Sequence, residues 1–296
     1  MTGLGNLTRR NSKLFFNDKG MFFTSLITPV ILLVLYATFL AKVYRDSFAS
    51  AVPQGFELDS SLIDATVGGQ LISSLLAVCC ITVAFCSNML MVQDKVTGAL
   101  RDITVTPVKR STLAVSYYIA TVLSTMLICL IATGAGFIYL AKAGWYLSAA
   151  DTALFVLDVI LLVLFGTALS SIINFFLSSQ GQMSAVGTIV SAGYGFICGA
   201  YMPISQFGET LQHVISFLPG TYGTSLLRNH ALAGVYQEMA DTGFPSEVIE
   251  AIKDSVDCNL YFFDSKVETG TMYLILAGST AVLIGIYIVM NLLKKH

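Results

Sequence analysis

Residues 22–41 read FFTSLITPVILLVLYATFLA, twenty positions without a single charge. That is the length an α-helix needs to cross a bilayer core about 30 Å thick. Lipid offers no partner for backbone N–H and C=O groups, so a stretch of this kind must fold as a helix. Five more runs of the same character follow, at about 68–92, 113–140, 154–177, 184–201 and 271–293. The whole chain agrees with them: 55% of its 296 residues are hydrophobic and 11% are charged, against about 25% charged in a soluble domain. The expected fold is an all-α polytopic membrane protein with six transmembrane helices. A leading segment (1–21) is expected to be cytoplasmic and amphipathic, and residues 22–296 form the membrane domain. About twenty polar-leaning residues precede the first run, which is also too long for a signal-peptide core, so it reads as a retained anchor.

Lys and Arg set the orientation. Arg9, Arg10, Lys13 and Lys19 precede the first span, Lys95, Arg101, Lys109 and Arg110 separate the second from the third, and Lys294 and Lys295 close the chain. Six spans place all three groups on one side. The other side carries Lys42, Arg45, Lys142, Arg228, Lys253 and Lys266 diluted by acids such as Glu57, Asp59, Asp64, Glu238, Glu247, Glu250, Asp254, Asp257 and Asp264. Both termini are therefore expected in the cytoplasm, in a multi-pass protein of the cell membrane.

Two segments outside the spans carry more information than a plain loop. In QDKVTGALRDITVTPVKRST (93–112), Val96, Ala99, Leu100 and Ile103 fall at i, i+3, i+4 and i+7. That is one apolar helical stripe with charges opposite it. Pro107 ends the helix, because the residue before a proline is pushed out of the α region. Such a stripe suits either a helix lying flat on the membrane or one that docks a partner. The second segment, GAYMPISQFGETLQHVISFLPGTYGTSLLRNHALAG (199–234), is apolar but broken by Pro203, Gly208, Pro219, Gly220 and Gly223. Each piece is too short to span, and broken backbone at membrane depth needs protein or a water-filled cavity around it. An outer re-entrant pair of short helices between the fifth and sixth spans is the expected form. The polar, acidic stretch 235–268 reads as an external subdomain, in which Pro245–Ser246 opens an amphipathic helix carrying Val248, Ile249, Ile252 and Val256 on one face.

Catalytic patterns do not occur. The chain has no GxxxxGK[ST] loop to hold ATP phosphates and neither HExxH nor GxSxG. His213, His230 and His296 are scattered. Cys79, Cys80, Cys86, Cys129 and Cys198 lie in apolar runs and read as packed thiols; only Cys258 falls in a polar segment. No basic stripe with interleaved aromatics points to nucleic acid. An enzyme is not expected, and no metal or cofactor is expected on this chain. Asp158 is the clear acid inside a span, about 10 Å deep at 1.5 Å per residue. An intramembrane carboxylate is costly, so it either serves a substrate or proton, or faces a vestibule or a hydroxyl of a neighbouring helix. In the fifth span Gly187, Ser191, Gly195 and Gly199 line up small residues, the last two glycines as GxxxG, which favours close helix contact.

These features resemble the permease subunit of type 2 ABC transporters, in the branch with drug, antibiotic and nodulation-factor exporters. The likeness rests on the amphipathic opening with Asp18, on Pro29 within the first span and on the loop DKVTGALRDITVTPVKRS. There Asp94, Gly98, Leu100, Thr106, Pro107 and Lys109 match the family pattern, with aspartate where the family often has glutamate. It rests also on Pro203, Pro219, Tyr222 and Arg228 after the fifth span. The resemblance implies two permeases, identical or paralogous, each bound to a separate ATP-binding subunit that holds the ATP and Mg. Asp94, Val96, Gly98, Leu100, Ile103 and Pro107 would form the coupling element on that ATPase, with Leu100 and Ile103 pointing into its groove. Spans two and five would face each other across the dimer, and Pro203, Pro219 and Tyr222 would belong to an outer gate. The function implied is ATP-driven export of an amphipathic or hydrophobic substrate; the alternative is an ion-coupled carrier or channel without an ATPase. The topology is tested by introduced cysteines: one at Ser111 should react with an impermeant label only from the cytoplasm, and one at Asp254 only from outside. Labelling of Ser111 in intact cells would overturn the arrangement.

Overall fold

A computed structural model describes residues 2–51, 60–263 and 265–293. Glu57, Asp59, Asp264, Lys294, Lys295 and His296 lie outside them. Helix α1 (Thr2–Asn17) stops at Asp18, whose carboxylate accepts the Met21 N–H at 3.0 Å and so starts α2 (Lys19–Leu35). The two helices meet at 71°. From α2 the chain continues through a π-helical turn at Tyr36–Leu40 into α3 (Ala41–Ala51). Then come α4 (Ser60–Thr97), the short α5 (Ala99–Val105), α6 (Arg110–Ala143), α7 (Ala149–Phe176) and α8 (Gln180–Ile197). A 3-10 turn at Ile204–Gln206 leads to α9 (Glu209–Ile215) and α10 (Pro219–Asp241), followed by α11 (Ser246–Ser255) and α12 (Thr269–Leu293).

The protein is an all-α polytopic membrane protein, as its apolar runs require. Four helices, α4, α6, α7 and α12, are each long and apolar enough to cross a bilayer, and the count rises to five where the bent pair α1–α2 is taken as one span. Helix α8, expected as a span, covers 18 residues but opens on two glutamines, Gln180 and Gln182, and is not among them. The expectation of helices alone needs one correction. Strands β1 (Leu260–Phe262) and β2 (Ser265–Val267) form an antiparallel hairpin just before α12. A second concerns the broken segment: only α9 is short, whereas α10 runs for 23 residues into the stretch read as polar. Its face carrying Leu232, Val235, Tyr236 and Met239 is covered by Ile249 and Ile252 of α11, which bears out the amphipathic reading of that helix. Glu250 then ties α11 to the hairpin, accepting hydrogen bonds from Lys253 and Lys266 at 2.8 Å each. Those two cations hold its carboxyl at about 2.

Helix α4 is the centre of the molecule. It packs against α2, α6, α7, α8 and α10, and 94% of its most apolar stretch is buried. Its composition explains this position: Gly68, Gly69, Ser73, Ser74, Ala77, Cys79, Cys80, Ala84, Cys86 and Ser87 are all small and all buried. Without a hydrophobic force between helices in lipid, close backbone approach is what makes them associate. Large apolar residues of α2, α6 and α12 outside the packed interior, such as Phe23, Ile131 and Leu274, are exposed, as a lipid-facing surface must be.

Close approach also fixes α10. A Cβ on Gly69 would lie 2.6 Å from Leu232 Cδ2, and one on Gly234 would overlap the backbone carbonyl of Tyr146. A flexible leucine can yield at the first site, but a carbonyl cannot at the second. Gly234→Ala should therefore cost about 1–3 kcal/mol, the usual range for overpacking. Gly278→Ala in α12, with open space around it, should leave stability unchanged. Thermal unfolding of both variants in detergent checks this; equal midpoints would refute the packing described.

Candidate functional site

Three places bring chemistry-bearing residues together: the α4–α5–α6 turn, a lateral groove, and the far end of the bundle.

At the turn, Gly98 takes φ +84°, a left-handed conformation that L residues rarely adopt, and so lets α5 leave the line of α4. Of the expected stripe, Val96 falls at the end of α4 and is exposed, while Ala99, Leu100 and Ile103 on α5 are half-buried. Leu100 and Ile103 are half-buried against Leu7 of α1, Leu90 and Met91 of α4, and Leu113 of α6. They do not point out toward a partner, because the protein's own helices supply the apolar surface that the stripe needs. What remains outside is Val96, Arg101, Asp102, Thr104, Val105, Thr106 and Pro107. Val105 is 88% exposed, an isolated valine at the end of a seven-residue helix.

Asp94 also departs from expectation. It is buried, and its carboxylate accepts two hydrogen bonds from the Arg10 guanidinium, at 2.7 and 3.0 Å, and one from the Tyr117 hydroxyl at 2.5 Å. It braces α1 and α6 to the end of α4. Lys95, the next residue, donates to the carbonyls of Asn174, Phe175 and Leu177 at 2.8–3.0 Å. A cation is favoured there, because the last carbonyls of α7 have no partners within the helix. The end of α4 is thus fastened on two sides.

The groove lies between α2 and α8 with α4 as its floor, and holds about 930 Å³. Cys86, Met89 and Gln93 of α4 line it together with Gly187 and Ser191 of α8. Two of the four small residues singled out in the fifth span therefore meet there, and the other two do not. Gly195 is covered by the ring of Tyr201, while Gly199 lies beyond the end of α8 with φ +72°. The GxxxG spacing spans the end of α8, where the chain turns back and Gly199 meets Arg228 of α10. Helix α4 is also enclosed by its own chain and offers only this floor.

At the far end, Asp158 is fully buried. His230 Nδ1 of α10 lies 2.5 Å from one carboxylate oxygen, and the Tyr273 hydroxyl of α12 donates to the other at 2.5 Å. Of the two expected settings, neighbouring polar side chains rather than a vestibule surround it. Arg228, also fully buried, pairs with Asp257 at 3.0 Å and donates to the Gly199 carbonyl and to Ser74 Oγ. Asp257 in turn accepts the Ile204 N–H at 2.9 and 3.0 Å. Pro203 sits at the start of this turn and Pro219 in the first turn of α10; Tyr222 is buried, with its hydroxyl on the Ser216 carbonyl at 2.6 Å. Burial pushes the Cys258 thiol up to about 11, so this cysteine is packed like the rest. Among the described residues no cluster of His, Cys, Asp or Glu is arranged to hold a metal.

Sequence reasoning missed Arg10, Tyr117, His230 and Tyr273 as partners. Each is many positions from the acid it meets, and no periodicity links them. The brace at Asp94 is testable. Asp94→Asn should destabilise the protein by about 1–3 kcal/mol, the range for hydrogen bonds to a charged group. Adding Arg10→Gln should then cost little more, since the two act as one unit. Strictly additive losses in denaturant unfolding would show that the pair is not coupled.

A family model described as ABC-2 type transporter matches residues 2–231, from α1 to within α10. No curated protein matches the chain.

Proposed function

This chain belongs to the ABC-2 type transporter family, and from that premise we propose that it forms half of the membrane pathway of an ATP-driven exporter of amphipathic or hydrophobic compounds. As a family member it is the transmembrane permease of an ABC transporter, a transport component and not itself an ATPase. Permeases of this family typically work with an ATP-binding subunit, so an ion gradient is not required of it. ATP and Mg belong on that partner.

One observation carries the reading. Helix α4 is at once the floor of the groove and, through Gly98, the support of α5. A load applied to α5 from below reaches the groove along a single braced helix. The groove, at about 930 Å³, lies within the usual range for sites that take drug-sized ligands, roughly 300–1,000 Å³. Its mixture of Met, Ile and Leu with Thr and Ser suits amphipathic cargo, in keeping with the resemblance to drug and antibiotic exporters.

In this reading the basic end, with α1 and α5, is cytoplasmic. The six spans are α2 with its continuation, α4, α6, α7, α8 and α12. A second copy or a paralogue seats beside the exposed flanks of α2 and α8 and closes the groove. Helices α9 and α10 form the outer gate, with residues 235–268 as the external subdomain. Support for re-entry comes from Gly223, which packs against Leu162, roughly 20 Å along α7 from its start at 1.5 Å per residue. The first turns of α10 therefore lie near the middle of the bundle.

The ATPase would meet the outward face of α5: Val96, Arg101, Asp102, Val105 and Pro107. Val105→Asp should leave the permease folded, because the side chain is almost wholly exposed, yet abolish co-purification of the ATP-binding subunit and transport. Charge is costly in an apolar contact. Leu100→Ala should act differently, lowering the stability of the permease itself by removing a contact within the chain. Wild-type association and transport by Val105→Asp would sink the docking surface proposed.

A further inference from the structure

The groove is not uniform along its length. Toward the basic end its walls carry Asp18, Gln93 and Gln180, while toward the other end they carry Leu35, Leu40 and Phe196. Among the described residues that line it, Asp18 alone has a charged side chain. Lys19 is next in sequence but is exposed and does not line the groove. One oxygen of the Asp18 carboxylate accepts the Met21 N–H and thereby starts α2. A carboxylate carries about four lone-pair sites, so that single bond leaves most of its hydrogen-bonding capacity to whatever occupies the groove.

We infer that the groove selects a cationic amphiphile, an apolar body with an ammonium-type head, and that the head seats on Asp18 at the basic end. This rests on the groove being the substrate path. The physical argument is one of sign. Attraction between opposite charges grows as the local dielectric falls, and the groove is walled mainly by Met, Ile, Leu, Thr and Ser. An anionic head there would meet a like charge with no cation on the wall to offset it. A neutral head would leave the carboxylate without a counter-charge. Only a positive head satisfies the site. The thioethers of Met21, Met89 and Met183 are polarizable and adapt to bodies of different shape, so the site would be selective for charge and tolerant of shape.

The test compares two photoreactive probes with the same benzophenone-bearing alkyl chain, one ending in trimethylammonium and the other in its uncharged isostere, tert-butyl. Both are applied to the full-length permease in lipid nanodiscs. The ammonium probe should label α2 and α8 with half-saturation at least about tenfold lower than the tert-butyl probe. Asp18→Asn keeps an oxygen to cap Met21 and removes only the charge; it should bring the two probes to within about twofold, and Asp18→Glu should restore part of the difference. Equal labelling of the groove by both probes in the wild type would overturn the charge selection while leaving the pathway reading intact. Absence of labelling on α2 and α8 by both probes at saturating concentration would overturn both, since no apolar body would then enter the groove.

Discussion

The close packing of five helices around α4 is the constraint from which the rest follows. A helix surrounded on all sides is approached most closely where its side chains are small, and 11 of the 29 buried residues of α4 are glycine, alanine, serine or cysteine. Such packing works through short-range dispersion, which is lost quickly as surfaces separate. A central helix of this kind cannot shift by itself. Any displacement of α4 must carry its neighbours or slide past them, which makes it a suitable element for carrying a load from one end of the protein to the other.

Burial in lipid sets a second condition, that each charge brought inside must find a partner. The protein meets it with compact clusters: Asp94 with Arg10 and Tyr117, Asp158 with His230 and Tyr273, and Arg228 with Asp257 and the turn after α8. All three join different helices, and none lies in the groove. Buried ion pairs add little net stability, but removing one partner is costly. They therefore act as fixed points. The first fastens the end of α4, the second joins α7, α10 and α12, and the third locks the turn after α8 to α10 and to the loop behind α11. Between the fixed ends, the α2 and α8 walls of the groove are held mainly by apolar contacts, which can rearrange with less penalty.

Much of this was legible in the sequence, and the boundary of what was legible is physical. Hydrophobic run length reports the long helices, and the stripes on α5 and α11 report that each has an apolar face. A stripe does not say what covers it. On α11 it is covered by α10, and on α5 by α1, α4 and α6, so the residues that looked ready for a partner, Leu100 and Ile103, are the ones already used. Val105, outside the stripe, is more exposed than any residue in it. Pairing over distance was hidden for a related reason: Arg10 and Asp94 are 84 positions apart, and only the folded chain brings them together. Spacing alone also did not show that Gly199 stands beyond the end of α8, because a GxxxG pattern looks the same within a helix and at its ending. The strands of the hairpin have three residues each, too few for an alternating pattern to stand out.

The position of Asp18 joins these points into one argument. It stands at the 71° bend between α1 and α2, so it belongs both to the groove and to the hinge of the amphipathic helix. Arg10 ties α1 to Asp94, and Asp94 lies four residues before the Gly98 turn into α5. A displacement of α5 would thus reach Asp18 by two routes, through α4 as the floor of the groove and through α1 as the arm of the hinge. If those routes move the carboxylate relative to Gln93 and Gln180, affinity for a positive head depends on where α5 stands. Linkage makes the dependence reciprocal: a ligand that binds one arrangement of the groove more tightly must bias α5 toward the position that goes with it. A cation in the groove and an ATP-binding subunit beneath α5 would then sense each other without contact, through side chains that are already buried and paired.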